Sequence, residues 1–311
     1  MRVLFLGTPR FAAVSLQALL DNGYDVCGVF TQPDRPSGRG NQLQLSPVKT
    51  LAEAHGATVF QPEKLRAEEN QETVENLAPD VIVTAAYGQL VPAWMLGLSR
   101  LYPINIHASL LPRWRGAAPI ARAILAGDAV SGVTTMVMEE SLDSGGILLS
   151  EEAPISIKTT AGELTETLAE VGARLLLQTL EGLKSGALTP TPQDETLVTW
   201  AQKITKADSE ISWERPAMEI HNRIRALNPN PGSVFDFRGE KIKLWRSLPL
   251  EGDGTALPGT LLGVAGNALR VACGGASAID IFEMQRPGKK RTTGREFASG
   301  ARLKQGNLLI F

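Results

Sequence analysis

Asn105 and His107 stand two residues apart in "PINIH", with Ile104 and Ile106 beside them. Alternate side chains of a strand share a face, so the amide and the imidazole would lie side by side and the isoleucines opposite. An amide donates hydrogen bonds, and an imidazole accepts, donates or carries a proton near neutral pH. Two readings stand for His107: a core histidine satisfied by a backbone carbonyl, or a proton-handling group at a strand end. Asp143 lies in "MEESLDSGGILL", just before Ser144-Gly145-Gly146. It either shapes the turn, as Asp does before glycine, or supplies a carboxylate. In "AAYGQLVP" (85–92), Tyr87 and Gly88 either line a pocket beside His107 or make a plain strand-to-helix turn with Pro92 at the helix start.

Two stretches carry cations. "TQPDRPSGRGNQLQLSP" (31–47) is longer than an ordinary strand–helix connection and holds Arg35 and Arg39. It grips an anionic substrate or is a solvated loop. "RPGKKRTTGRE" (286–296) sets five basic side chains in eleven residues, among them Lys289, Lys290 and Arg291. Such a run contacts phosphates or is simply solvated.

The elements that position these residues follow from periodicity. "RVLFLG", "YDVCGVFT", "ATVFQ", "PDVIVTAAYG", "RLYPINIH", "SGVTTMVME" and "ILLSEEAPI" read as strands. Between them, "RFAAVSLQALLDNG", "SPVKTLAEAHG", "ENQETVENLA" and "GAAPIARAILAGD" have helical spacing. Alternation of strand and helix predicts an open, mostly parallel, Rossmann-like α/β sheet, and ligands of such sheets bind beyond the carboxyl ends of the strands. The first strand–helix turn, "GTPRF", has one glycine rather than GxGxxG, and GxxxxGK[ST] is absent, so neither NAD nor a cradled nucleotide is supported. A long amphipathic helix over 161–186 follows. The Pro-, Thr- and charge-rich stretch after it reads as a linker. "RPAMEIHNRIRALNPNPG" is a helix stopped by Asn-Pro-Asn-Pro, and short strands with glycine turns complete a small OB-like β-barrel. The predicted organisation is a catalytic domain over 1–188, a linker over 189–206 and a C-terminal barrel over 207–311.

Charge is uneven. Residues 206–311 carry 16 Lys and Arg against 11 Asp and Glu, whereas residues 1–205 carry 15 against 22. A basic C-terminal part points to an anionic partner, nucleic acid among the candidates. Histidine occurs only at 55, 107 and 221, and cysteine only at 27 and 273, without CxxC or HExxH, so no metal is expected. The apolar start "MRVLFLGTPRF" is too short for a membrane span and shows no cleavage pattern. A cytoplasmic protein with no membrane contact is expected.

Together "FLGTPRFA", "VFTQPDRPSGRG", "SPVK", "AYGQLVP", "NIHASLLPRWRGAAPI", "GVTTMVMEESLDSGGIL" and "DETLVTWAQKI" resemble, in order, the blocks of the methionyl-tRNA formyltransferase family. "IRALNPNPG" and "PGKK" extend the likeness to nearly the whole chain. The resemblance implies a monomeric bacterial enzyme that moves the formyl group of 10-formyltetrahydrofolate to the α-amine of charged initiator tRNA, without a metal. Asn105, His107 and Asp143 match the family's catalytic trio. The first two would donate to the developing oxyanion, while Asp143 would orient His107 or accept the amine proton. Ser109, Leu110, Leu111 and Pro112 match the folate-binding loop, with Tyr87 and Gly88 beside it. Arg39, assisted by Arg35, matches the loop arginine at the tRNA acceptor end, and Lys289, Lys290 and Arg291 would meet phosphates. The chain departs from the pattern at Asn41-Gln42, where Lys-Lys is usual, at Ser141, where Gly is usual, and at Gly146, where Asp is frequent. Two rival readings share parts of this: a formyltransferase of a small amine such as an amino sugar nucleotide, and a non-catalytic RNA-binding protein.

Overall fold

Seven of the apolar runs form one sheet. Its strands are β1 (Arg2–Gly7), β2 (Asp25–Phe30), β3 (Val59–Phe60), β4 (Val81–Ala85), β5 (Ile104–His107), β6 (Val130–Val137) and β7 (Ile147–Pro154). A computed structural model describes residues 1–37, 42–252 and 254–309 and orders the sheet β7-β6-β5-β4-β1-β2-β3. The strands from β3 to β5 are parallel, whereas β6 runs antiparallel to both β5 and β7. Val3 to Leu6 and Val81 to Val83 are fully buried without alternation, as expected of strands covered on both faces. Leu4, Leu6 and Ile82 pack with Phe30, Leu65, Val74, Tyr87 and Met95 on one face.

The helices are α1 (Arg10–Asp21), α2 (Pro47–Ala54), α3 (Glu69–Leu77), α4 (Ala93–Leu96), α5 (Pro119–Ala126) and α6 (Ala161–Ser185). Ser46 caps α2 by accepting the Lys49 N–H at 3.0 Å, one residue before Pro47. α6 approaches the sheet through Gly172, where an added Cβ would lie 3.0 Å from Ile106 Cγ2. The isoleucines of β5 therefore face α6, and Asn105 and His107 face away from it.

The chain divides into two compact units. The first holds 1–119, 130–154 and 165–201; the second holds 120–129, 155–164 and the chain from 202 onward. The stretch expected as a linker thus divides after Ala201. Its first part is folded into the first unit, where Trp200–Ala201 pairs in parallel with Arg115–Gly116.

In the second unit lie α7 (Ala217–Ala226), β8 (Ser233–Phe237), β9 (Glu240–Glu251), β10 (Leu261–Ala265), β11 (Ala268–Cys273), β12 (Ser277–Gln285), β13 (Arg291–Thr293) and α8 (Gly294–Gly300). The strands follow the antiparallel path β8-β9-β12-β11-β10, with β13 added to β12. Among the described residues β8 and β10 end this path and do not pair with each other, so the sheet is not closed and the expected OB-like barrel is not seen to close. Ile220 and Ile224 of α7 and Phe297 of α8 share one core with Phe235, Ile242, Val271 and Ile281 of the strands.

His221 on α7 is 2% exposed. Its Nε2 donates to the Ile157 carbonyl at 2.7 Å, and its Nδ1 accepts from the Ser247 hydroxyl at 2.9 Å, which suits the neutral ring. Burial pulls its pKa below the ordinary value; the Ile157 carbonyl opposes this, and the charge of Arg225 adds to it. The unfolded chain therefore binds this proton more tightly than the fold does. The stability that His221 contributes is complete above about pH 6.5 and is lost as pH falls toward the lowered folded value. The thermal midpoint should decline between about pH 7 and 5, and His221→Gln should flatten that decline; an unchanged slope in the variant would remove His221 as its source.

Candidate active site

β5 carries Asn105 and His107 to the carboxyl edge of the sheet, opposite Met136 and Thr134 of β6. Asp143 sits in the loop between β6 and β7, and its carboxylate is shared among three groups. Oδ1 lies 3.7 Å from His107 Nδ1 and 3.4 Å from Asn105 Nδ2. Oδ2 accepts the backbone N–H of Gly116 at 2.9 Å. The His107 and Asp143 side chains are 7% and 11% exposed, so the pair is largely screened from water. His107 Nε2 donates to the Trp114 carbonyl at 2.9 Å. That bond assigns the second proton of the ring, when present, to Nδ1, where it faces the carboxylate.

The segment after β5 is held by hydrogen bonds. Thr134 Oγ1 donates to the Ser109 carbonyl at 2.7 Å and accepts the Leu111 N–H at 3.1 Å. Ser109 Oγ donates to the Arg113 carbonyl at 2.7 Å. The chain then passes through Trp114 at φ +65° and Gly116 at φ +119°. Glycine is needed at 116, because an added Cβ would sit 2.9 Å from the Ala201 carbonyl oxygen. Arg115 between them is 3% exposed. Its guanidinium donates to Gln193 Oε1 at 2.8 and 3.0 Å and pairs with Glu195 at 2.7 Å. The Arg115 hydrogen bond holds the Glu195 carboxyl below its ordinary range. Gln193 Nε2 in turn donates to the carbonyls of Asp143 at 2.9 Å and Gly145 at 2.8 Å.

The structure brings Asn105, His107 and Asp143 together, and it changes the part that several neighbours can play. The Tyr87 ring is 2% exposed and packs in the core around Leu65 and Met95. It does not line a pocket beside His107, and burial pushes its phenol up to about 12. What Tyr87 presents at the strand end is its carbonyl, which accepts from Thr8 Oγ1 and Gln32 Nε2. Gly88 is exposed at φ +90°. Ser109 is fully buried and Leu111 7% exposed, so their side chains serve the interior, while Leu110 and Pro112 stay half-buried. A donor bond from His107 Nε2 to an oxyanion is pre-empted by Trp114.

Arg35 is exposed on a short hairpin in which Arg35–Ser37 pairs with Gln42–Gln44; Arg39 lies outside the described residues. Lys289 and Lys290 are exposed between β12 and β13. Arg291 is partly committed, with its guanidinium 4.2 Å from the Trp245 ring centroid and 3.3 Å from Glu283. Sequence reading missed Arg115, Gln193 and the Gly116 N–H. The Arg was in plain view within "RWRG", and the Gln lay in a stretch whose Pro, Thr and charge read as a linker between domains. Among the described residues, no group of three or more His, Cys, Asp or Glu could hold a metal, and no helix is long and apolar enough to cross a membrane.

A model of the formyl transferase family matches residues 1–180, and a model of that family's C-terminal domain matches residues 203–302. The chain belongs to the formyl transferase family. A methionyl-tRNA formyltransferase of Methylibium petroleiphilum is 48% identical over 305 residues, with 96% of each chain covered. One of Symbiobacterium thermophilum is 46% identical over 307 residues, covering 98% of this chain and 94% of its own. Among solved structures, the fold is shared with WlaRD, a sugar 3N-formyl transferase crystallised in the presence of dTDP and 5-N-formyl-THF. That match has a TM-score of 0.68 at 18% identity and covers 93% of this chain and 99% of that one. It is shared too with HypX of Aquifex aeolicus in complex with tetrahydrofolic acid, at TM-score 0.62 and 19% identity, over 96% of this chain and 47% of that one. Formyl transferases of this family use a formyl-tetrahydrofolate donor.

Thr134 is fully buried and serves both a carbonyl and an N–H of the 109–111 segment. Thr134→Val keeps the shape and leaves both groups unmatched, which costs about 1–3 kcal/mol for each buried group stranded. Urea unfolding should show a loss of that order, and a loss below about 0.5 kcal/mol would mean that water replaces the hydroxyl.

Proposed function

We propose that this chain transfers the formyl group of 10-formyltetrahydrofolate to the α-amino group of methionine on charged initiator tRNA. The observation that carries the reading is the meeting of Asn105, His107 and Asp143 at the carboxyl edge of the sheet. They meet in a chain 46–48% identical, over nearly its full length, to methionyl-tRNA formyltransferases.

The residues around the trio suit a flat, partly apolar donor. Ala86 and Gly88 expose backbone at positive φ, Leu110 and Pro112 are half-buried, and Leu142 is 52% exposed. With 10-formyltetrahydrofolate bound, the amine nitrogen bonds to the formyl carbon, the bond from that carbon to N10 breaks, and the proton lost by the amine is balanced by one gained at N10.

The chain's own groups manage charge and that proton. One N–H of Asn105 Nδ2 turns toward Asp143, and the second is available to the formyl oxygen as negative charge grows on it. His107 presents Nδ1 rather than Nε2 to the site, because Trp114 holds Nε2. His107 Nδ1 lies 3.7 Å from Asp143 Oδ1; a proton carried there can move to the leaving nitrogen, while the carboxylate accepts the proton of the attacking amine. The Gly116 N–H holds Asp143 Oδ2 and leaves Oδ1 facing Asn105 and His107.

For the tRNA, the reading assigns Arg35 and Arg39 of the 31–47 loop to the acceptor end, and Lys289, Lys290 and Arg291 to phosphates. The basic, mainly antiparallel second unit serves as an OB-like RNA surface. The enzyme acts as a monomer in the bacterial cytoplasm. The sugar N-formyltransferase fold of WlaRD makes a nucleotide-linked amino sugar the rival acceptor.

The deciding assay supplies 10-formyltetrahydrofolate with either charged initiator tRNA or a dTDP-linked amino sugar. Formyl-methionyl-tRNA is the expected product, and transfer to the sugar alone would overturn the reading. His107→Ala, Asn105→Ala and Asp143→Asn should each lower kcat by roughly 100–1000-fold while leaving tRNA affinity intact. Affinity for tRNA should fall steeply as salt rises from about 50 to 200 mM. A flat response would dissociate the basic residues from phosphate contact.

A further inference from the structure

The Asp143 loop is held partly from outside: within it Ser144 Oγ donates to the Ser141 carbonyl at 3.2 Å, and other segments hold the rest. Asp143 lies at φ +52°, a region that a non-glycine residue enters at a cost of about 1–3 kcal/mol unless its surroundings impose it. Gly145, two residues on, is buried, and an added Cβ there would collide with the Val137 carbonyl oxygen. The loop is therefore drawn close against the end of β6. Two carbonyls of this loop, Asp143 O and Gly145 O, converge on one amide nitrogen, that of Gln193.

The polarity of that amide is fixed from its other side. Arg115 donates from Nε and Nη2 to Gln193 Oε1 at 3.0 and 2.8 Å. A guanidinium has no acceptor, so the oxygen must face Arg115 and the nitrogen must face the loop. Every donor and acceptor of the Gln193 amide is thereby used. Arg115 is itself held, by Glu195 and by a buried position in the turn whose neighbours, Trp114 and Gly116, contact His107 and Asp143.

We infer that Gln193 is a positioning residue for Asp143: its amide, oriented by Arg115, clamps the Asp143 and Gly145 carbonyls and so keeps Oδ1 directed at His107. The inference rests on the carboxylate role given to Asp143 above. It assigns to a segment outside the catalytic blocks the task of holding the catalytic loop. The amide is specifically required. A carboxylate of the same size would still satisfy Arg115, but it would set an acceptor against two carbonyl oxygens.

Gln193→Glu separates this role from space-filling. The shape and the Arg115 partner are kept, so the cooperative thermal transition should persist. kcat for formyl transfer should fall on the order of 10- to 100-fold, as for a reacting group displaced by about an ångström. KM for both substrates should stay within about twofold, since no ground-state contact is lost. Gln193→Ala should show the same split between kcat and KM, and it decides the matter if the Glu variant does not fold. In an Asp143→Asn background Gln193→Glu should cost little more, because the two act through one group.

Wild-type kcat in Gln193→Glu, or a rise in KM with kcat unchanged, beside an inactive Asp143→Asn, would overturn the clamp and leave the trio standing. Wild-type turnover in Asp143→Asn would overturn the carboxylate role, and the clamp with it.

Discussion

The turn at Trp114–Gly116 sets both halves of the site. The Trp114 carbonyl takes the Nε2 proton of His107, and two residues later the Gly116 N–H takes Asp143 Oδ2. One short stretch of backbone thereby fixes which nitrogen of the imidazole faces the site and which oxygen of the carboxylate faces the imidazole. A side chain could be replaced here by a rotamer change, but backbone groups cannot swing away without unmaking the turn. The turn is itself under constraint, with Trp114 and Gly116 at positive φ and the buried Arg115 between them. Two loops with left-handed residues thus brace each other across His107, and neither conformation would be expected of its sequence in isolation.

That bracing explains what was legible in the sequence. The alternation in "PINIH" is a local property, and it placed Asn105 and His107 on one face because strand geometry leaves no other choice. The run of apolar strands and amphipathic helices was readable for the same reason, and so was the Ser-Pro start of α2. The antiparallel run of β6 against β5 was not readable, since an apolar strand of this length looks the same in either direction. The direction of the Tyr87 ring was not readable, because a residue at a strand end can turn either inward or out. Its ring found room beside Leu65 and Met95, leaving only its carbonyl at the edge.

Gln193 and Arg115 were hidden by a different cause. "TPTPQDETLVT" is polar and proline-rich, which is also the composition of a solvated connection. What makes it structured is an edge 85 residues away in the chain. Thr199 accepts the Arg115 N–H and Ala201 accepts the Ala117 N–H, so the stretch adds itself as a short strand to the turn after β5. Non-local pairing of this kind leaves no periodic trace. Whether the strands of the second unit form the expected OB-like barrel was hidden for a related reason. Spacing of short strands reports how many there are, whereas closure depends on whether the first and last of them meet, and among the described residues β8 and β10 do not pair with each other.

The buried Arg115 would be costly as an isolated charge, since a guanidinium out of water loses several kcal/mol of solvation. Here it has the Glu195 carboxylate as counter-charge and the Gln193 oxygen as a second acceptor. Removing Glu195 would leave the Arg115 charge without its counter-charge beneath the turn, whereas a well-packed apolar group in place of all three would lose the orientation of the amide. Because the Glu195 side chain is 71% exposed, the ion pair is weak grounds for stability and stronger grounds for specificity. Its geometry is what distinguishes the two ends of a glutamine, and through that glutamine it reaches the Asp143 loop.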